Sequence, residues 1–330
     1  MSDANKNLKI AVVQAAPIFM NRDETVDKAC ALIADAAKGG ASLVVMPEAF
    51  VPGYPDWVWV VPGAKKPILD AMYTRLLRNA VSIGDDATAR LCKAAREAGV
   101  YVTIGINERN SEASNASLFN TLLYIGPDGE VLGLHRKLMP TGPERIVWAQ
   151  GDGSTLKVYD TEIGRLGGLL CWENYMPLAR AALYEQGAQI YVAPTWDSSP
   201  VWLATMQHVA KEGGMFVAGC CTAIHIDAIP DEFEFKSLYP EGKEWLNVGN
   251  SCVVGPKGNV IAGPVKAQET ILYADLDLDE IPAAKWIFDS AGHYARRDVF
   301  EFSVSARRSP DLASPEVDTE GTSDASTSAS

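Results

Sequence analysis

"GGLLCWENYMPLAR", Gly167 to Arg180, decides how the chain is read. The apolar run Leu166–Leu170 stops at Cys171, and Trp172, Glu173 and Asn174 follow at once. A short apolar run closed by a polar turn, and then by the helical pattern "YMPLARAALYEQG", reads as a buried strand feeding a helix. That places the thiol at the carboxyl edge of a sheet, where α/β proteins build their sites. It also places it near a helix N-terminus, an environment that favours thiolate. Gly167 and Gly168 let another backbone approach closely just beneath. The competing reading is an inert buried cysteine, a small hydrophobe in an apolar run.

Strand-like runs alternate with helical patterns on both sides of this stretch. "KIAVVQAAP" (Lys9–Pro17) and "SLVVMPE" (Ser42–Glu48) read as buried strands around the helix "DETVDKACALIADAAKGG". Helical stretches follow at about 64–81 and 86–98, then the strand "VYVTIGI" (Val100–Ile106). "NTLLYIGPDGEVLG" is a hairpin with Gly-Pro-Asp-Gly at its turn, echoed downstream by "NSCVVGPKGNVIAG" (Asn250–Gly263). Between them, "QIYVAP" and "MFVAGCC" read as strands flanking the helix "PVWLATMQHVAKEGG". Alternation of this kind implies an α/β fold with helices covering its sheets, and the hairpins make those sheets mixed. No Pro/Gly/Ser-rich linker interrupts the pattern, so residues 1–305 are expected to form a single domain. Residues 306–330, rich in Ser, Asp, Glu, Thr and Pro, have almost nothing to bury and are expected to be a disordered acidic tail.

Composition narrows the function classes. The 330 residues are 47% hydrophobic and 22% charged, with a formal net charge of −13, which argues against nucleic acid or an anionic membrane as partner. The first residues, "MSDANKNLK", carry no apolar core of a secretory signal. No apolar run approaches the roughly 18–20 residues needed to span a bilayer. A cytoplasmic location is expected. The six cysteines (Cys30, Cys92, Cys171, Cys220, Cys221, Cys252) contain no C-x-x-C pair, and the four histidines are scattered without zinc-site spacing. Neither a metal nor a disulfide framework is expected.

A thiolate nucleophile needs a base and a group to stabilise developing charge. No histidine sits in a comparable strand-end context; His135 reads as an ordinary strand residue. Other strand ends are more informative. Glu48 ends "LVVMPE" as Cys171 ends "GGLLC", and Lys137 follows the hairpin strand "EVLGLHRK". Each alone reads as a solvated surface charge, whereas three such strand ends together suggest a site.

Those three stretches resemble the three motif regions of the nitrilase superfamily: "LVVMPEAFVPGYP", "HRKLMPTGPERIVWAQGDG" and "GGLLCWENYMPLAR". The Cys-Trp-Glu form is similar to that of the nitrilase branch, and "DSAGHYARRD" (Asp289–Asp298) resembles that branch's C-terminal region. The likeness runs from about Leu8 to Phe302. It implies a four-layer αββα sandwich and a Glu-Lys-Cys set in which Cys171 is the nucleophile, Glu48 the general base and Lys137 the stabiliser of negative charge. Glu144, in "GPERIVW", resembles a further active-site glutamate, with an ion pair to a nearby arginine as its alternative. Glu173 is left outside the catalytic set.

The implied activity is hydrolysis of organic nitriles to carboxylic acid and ammonia without a cofactor. The implied partners are a small-molecule nitrile and further copies of the chain in a homo-oligomer, by family habit a spiral or filament. Tyr54, Trp57, Trp59, Trp172 and Trp196 stand where aromatics suit an apolar nitrile substituent, and Tyr54, Trp172 and Trp196 adjoin motif residues; Trp57 and Trp59 equally suit plain packing or a subunit interface. The rival activities are hydrolysis of cyanide and of aliphatic amides, and the rival class is a non-catalytic scaffold retaining the fold.

Overall fold

The computed structural model describes residues 8–306. In the first sheet β1 (Leu8–Gln14), β2 (Leu43–Val45) and β3 (Tyr101–Arg109) run parallel. The hairpin β4 (Leu118–Ile125) and β5 (Val131–Arg136) continues it antiparallel. The second sheet repeats this plan. β7 (Gly164–Gly168), β8 (Ile190–Thr195) and β9 (Phe216–Cys221) run parallel. The hairpin β11 (Trp245–Val254) and β12 (Val260–Lys266) follows antiparallel, with the short β10 (Ala223–His225) also paired to β11. One antiparallel strand closes the far edge of each sheet: β13 (Thr270–Leu276) beside β1, and β6 (Tyr159–Thr161) beside β7. The two Gly-Pro-turn hairpins therefore occupy equivalent places in two similar halves.

Side-chain alternation along the strands builds the layers. Ile10, Val12, Leu43, Val45 and Leu122 point between the sheets, where they meet Leu166, Ile190, Val192 and Phe216. Their neighbours Ala11, Val13, Val44, Val102 and Ile104 point outward, onto Val26 and Ile33 of helix α1 (Arg22–Lys38) and Leu91 of α3 (Asp86–Ala98). On the other side Tyr191, Ala193 and Val217 pack against Leu183 of α4 (Pro177–Glu185) and Trp202, Met206 and Val209 of α5 (Pro200–Gly213). Period-two strands buried on both faces thus dictate four layers, helix–sheet–sheet–helix, as expected. α2 (Lys66–Arg78) lies over one end, with Leu76 and Met72 in a cluster that includes Phe19, Tyr54, Trp57, Trp148 and Phe235. α6 (Glu280–Lys285) follows β13.

Several boundaries differ from the sequence reading by a few residues: β1 ends at Gln14 rather than Pro17, and β3 runs on to Arg109 rather than stopping at Ile106. The strand expected at 42–48 is only Leu43–Val45, because Pro47 has no N–H for the ladder and Ala49 turns left-handed at φ +48°. The helix expected over 64–81 runs from Lys66 to Arg78. The expected tail, beyond its first residue, lies outside the described residues.

Candidate active site

Three strand ends deliver their side chains to one buried spot. Lys137 directly follows β5, Glu48 lies three residues beyond β2, and Cys171 lies three residues beyond β7. The Lys137 ammonium donates to Glu48 Oε1 at 3.0 Å and to Glu144 Oε2 at 2.8 Å, and all three side chains are essentially inaccessible to water. Glu48 is held by two further donors, Asn120 Nδ2 on Oε1 at 2.7 Å and the Trp196 backbone N–H on Oε2 at 2.7 Å. The Thr141 N–H donates to Glu144 Oε2 at 2.7 Å, and the Tyr54 hydroxyl donates to Oε1 at 2.6 Å. The alternative for Glu144, an arginine pair, gives way to its pair with Lys137.

Cys171 opens a 3₁₀ turn, Cys171–Tyr175, with φ +50°, a strained left-handed conformation for a residue with a Cβ. Asn174 supports it: its Nδ2 donates to the carbonyls of Cys171 at 2.8 Å and Leu169 at 3.2 Å, and its Oδ1 accepts from the Tyr191 hydroxyl at 2.8 Å. Glycines make room beneath both elbows. A Cβ on Gly168 would overlap the Val192 carbonyl, and one on Gly105 would overlap Pro47 O and Ala49 N on either side of Glu48. A carboxylate oxygen from each of Glu48 and Glu144 and the Cys171 sulfur all lie within 4.8 Å of one another. Such a trio is dense enough to hold a cation, and the Lys137 ammonium bonds to both of its carboxylates.

The expected thiolate-favouring helix N-terminus is corrected by the structure. The α4 helix begins only at Pro177, and Cys171 is buried. Burial, reinforced by the Glu48 and Glu144 charges, pushes the thiol well up; Lys137 and the Thr195 hydroxyl, 3.3 Å from the sulfur, act the other way. The resting thiol therefore keeps its proton. Burial also raises Glu48, with Lys137 opposing and Glu144 adding to the rise. For Lys137 burial disfavours the charge, but the Glu48 and Glu144 carboxylates oppose it and the ammonium is held above its ordinary range. The arrangement is a protonated thiol beside a carboxylate of raised proton affinity and a permanent cation.

Above these groups opens a cavity of about 370 Å³, lined by Tyr54, Trp59, Thr141, Glu144, Cys171, Trp172, Trp196 and Asp197–Ser199. All four expected pocket residues are present. Tyr54 stacks on Trp196 with ring centroids 4.4 Å apart and planes at 7°. Trp59, 48% exposed, donates to the Tyr54 hydroxyl at 3.1 Å; Trp172, 49% exposed, donates to Asp197 Oδ2 at 3.0 Å. These two form the rim. Trp57 instead lies fully buried in the cluster under α2, so packing accounts for it.

Sequence reasoning missed Asn120, Thr195 and the pairing of His135 with Glu173. Asn120 and Thr195 lie within or at the end of apolar strands, where a single polar residue at an inward register is the only signal. His135 Nε2 lies 3.1 Å from both Glu173 oxygens, and both residues are buried. Burial works against the Glu173 charge, yet His135 and the backbone donors of Leu138 and Leu170 hold this carboxyl below its usual range.

Comparison with known proteins agrees with the geometry. The carbon–nitrogen hydrolase family pattern matches residues 9–285. The chain is 44% identical over 298 residues to the aliphatic nitrilase of Sinorhizobium fredii, covering 90% of this chain and 95% of that one. It is 40% identical over 304 residues to nitrilase 1 of Arabidopsis thaliana, covering 90% and 87%. The crystal structure of Nit3 from Saccharomyces cerevisiae, a member of branch 10 of the nitrilase superfamily, superposes with a TM-score of 0.68 at 20% identity, over 90% of this chain and 98% of that one. Two mixed sheets between helices, a buried Glu-Lys-Cys cluster and this similarity along most of the sequence lead to one conclusion: the chain belongs to the carbon–nitrogen hydrolase family, in its nitrilase branch.

Proposed function

We propose that the protein hydrolyses organic nitriles to carboxylic acid and ammonia, with Cys171 as nucleophile, Glu48 as general base and Lys137 as the charge stabiliser. The observation that carries this reading is the buried ion-paired cluster of Lys137, Glu48 and Glu144 beside the Cys171 sulfur. Glu48 takes the thiol proton as the sulfur attacks the nitrile carbon, forming a C–S bond while one C–N π bond passes its electrons to nitrogen. Lys137 faces the negative charge that develops there, and the proton held by Glu48 passes to that nitrogen, giving a thioimidate and freeing the carboxylate. Water, deprotonated by Glu48, adds to the thioimidate carbon. The tetrahedral adduct expels ammonia and leaves a thioester, and a second water cleaves the C–S bond to release acid and regenerate the thiol. Glu144 acts here as the second anion that fixes the Lys137 ammonium. Tyr54, Trp59, Trp172 and Trp196 hold the substituent.

Cavity size favours an organic nitrile over cyanide, since about 370 Å³ of aromatic-lined space accommodates a substituent that cyanide lacks. The same reading carries a homo-oligomer, supported by the exposed apolar side chains Trp286, Ile287, Val299 and Phe300. It also carries a reducing, cytoplasmic setting, in keeping with six free cysteines. No helix of the described residues is long and apolar enough to cross a membrane.

The test is ammonia release from aliphatic, aromatic and arylacetic nitriles, cyanide and the matching amides. Nitriles are expected to turn over and Cys171→Ala to abolish that turnover. Turnover of amides or cyanide alone would overturn the substrate assignment, and full activity in Cys171→Ala would overturn the mechanism.

A further inference from the structure

Lys137 and Cys171 stand on different sheets, the first directly after β5 and the second beyond β7. The apolar core between the sheets sets their overall spacing, and side chains that cross between the two strand ends fix it locally. One carboxylate does so at both places. Glu173 Oε1 accepts the N–H of Leu138, next to Lys137, at 2.6 Å, and Oε2 accepts the N–H of Leu170, next to Cys171, at 2.9 Å. His135 Nε2, on β5 itself, lies 3.1 Å from both oxygens, so the imidazole donates between them. Glu173 also closes its own turn, its N–H donating to Leu170 O at 3.0 Å. It is buried, and it takes no part in lining the substrate cavity.

We infer that Glu173, clamped by His135, is the positioning residue that locks the strained Cys171 elbow to the Lys137 strand end. A left-handed cysteine persists only where its surroundings over-determine it. Asn174 secures the carbonyl side of the elbow through Cys171 O and Leu169 O, and Glu173 secures the amide side through Leu170 N. Of these two residues, Glu173 also reaches the Lys137 strand end. A carboxylate is suited to this because every group it meets is a donor and it has acceptors alone. An amide of the same shape must turn its own N–H₂ toward a backbone N–H, which pushes one strand end away without changing volume. Displacements of that order cost roughly 100-fold in rate when the reacting groups are held less well, while leaving substrate contacts in place.

The inference rests on the proposed nitrile-hydrolysing role, so its test includes a readout that needs no substrate. Glu173→Gln and wild type are compared for kcat and KM on a nitrile the wild type turns over, for thermal unfolding, and for the alkylation rate of Cys171 by iodoacetamide, with Cys171→Ala as blank. In folded Glu173→Gln, kcat is expected to fall roughly 100-fold with KM within about threefold, and alkylation to slow about tenfold. Full kcat and unchanged alkylation per folded molecule, with only the melting temperature lowered, would assign Glu173 a purely structural role and overturn the inference. Wild type that turns over no nitrile would sink the proposed function, and the alkylation comparison would still decide the positioning role. Should Glu173→Gln fail to fold, His135→Gln keeps the carboxylate and both backbone bonds but removes the imidazole. A fall of about tenfold in kcat at similar KM is expected there, and an unchanged kcat and alkylation rate would overturn the inference.

Discussion

The Thr195 hydroxyl donates to the Cys171 sulfur across 3.3 Å, while the Asp197 N–H donates to that same hydroxyl oxygen at 2.9 Å. The second bond fixes the rotor, so the proton of Thr195 is aimed at the sulfur before any substrate arrives. Burial and the neighbouring carboxylates oppose ionisation of this thiol, and Lys137 and Thr195 favour it. Thr195→Val keeps the volume and removes the donor. A hydrogen bond to a developing anion is worth enough that kcat/KM should fall about tenfold. The pH midpoint for alkylation of Cys171 should move upward, and an unmoved midpoint would contradict the assigned role of this hydroxyl.

Lys137 is the shared partner of two buried acids, so its removal is the most costly single change in the cluster. Lys137→Met leaves Glu48 and Glu144 facing each other without a cation. Stability at neutral pH should drop by about 3 kcal/mol or more, as expected when one member of a buried pair is deleted. Removing Lys137 takes away the charge that opposes the rise of Glu48, so that carboxyl is raised further in the folded state; the penalty is full above its folded value and is relieved as pH falls and Glu48 takes a proton. Denaturant melts of wild type and Lys137→Met at pH 5 and pH 7 check this; a stability difference that does not narrow at pH 5 counts against it. Activity should fall by roughly 100-fold to 1,000-fold, the usual cost of losing a charge stabiliser.

The base must be ionised to take the thiol proton, which fixes the acid side of the pH profile. Burial, with the Glu144 charge adding and Lys137 opposing, raises Glu48 above its ordinary carboxylate range near about 4.3. A raised carboxyl takes up its proton at higher pH, so kcat/KM should decline on acidification well before an exposed glutamate would titrate. Glu144→Gln removes one of the raising charges, and the acid limb should then move to lower pH even though kcat itself falls. Profiles of kcat/KM for the two proteins decide it, and a limb moving to higher pH in Glu144→Gln would refute the charge argument.

Most of the frame was legible because it rests on short-range patterns. β1, β2, β8 and β9 are written as continuous apolar runs, as strands covered on both faces must be, and the two Gly-Pro-turn hairpins recur in each half. The candidate site was legible as far as strand ends announce it: Glu48, Lys137 and Cys171 each follow an apolar run. The environment of the thiol was misjudged: the helix read from Tyr175 begins only at Pro177, and Cys171 is buried within its own turn, where burial and two carboxylates outweigh any pull of a helix end. Partners that meet only across the sandwich left no local trace. Glu173 with Leu138, and Trp196 N with Glu48, are separated by 35 and 148 residues. Trp57 and Trp59 share one aromatic stretch, yet one is core and the other rim, because Asp56–Trp59 forms a 3₁₀ turn that sends neighbouring rings to different sides.

Gly105 and Gly168 offer a test of how far the elbows depend on what lies beneath them. Gly105 sits on β3 with no room for a side chain: an added Cβ would overlap Pro47 O and Ala49 N, the backbone that carries Glu48. Gly168 stands under the Cys171 turn, and its added Cβ would overlap the Val192 carbonyl on β8. In both cases the obstacle is backbone, which cannot rotate aside as a side chain can. Gly105→Ala and Gly168→Ala should each destabilise the fold by about 2–4 kcal/mol, the range for overpacking aggravated by a rigid neighbour. Activity should separate them from ordinary overpacked variants. The loop backbone that must shift in Gly105→Ala carries the base, so kcat per folded molecule should fall at least about tenfold, whereas an equally destabilising change under α1, such as Ala29→Leu, should leave it unchanged. Denaturant melts paired with kcat corrected for the folded fraction make the comparison, and equal kcat in the two variants would show that Glu48 does not need the close approach at Gly105.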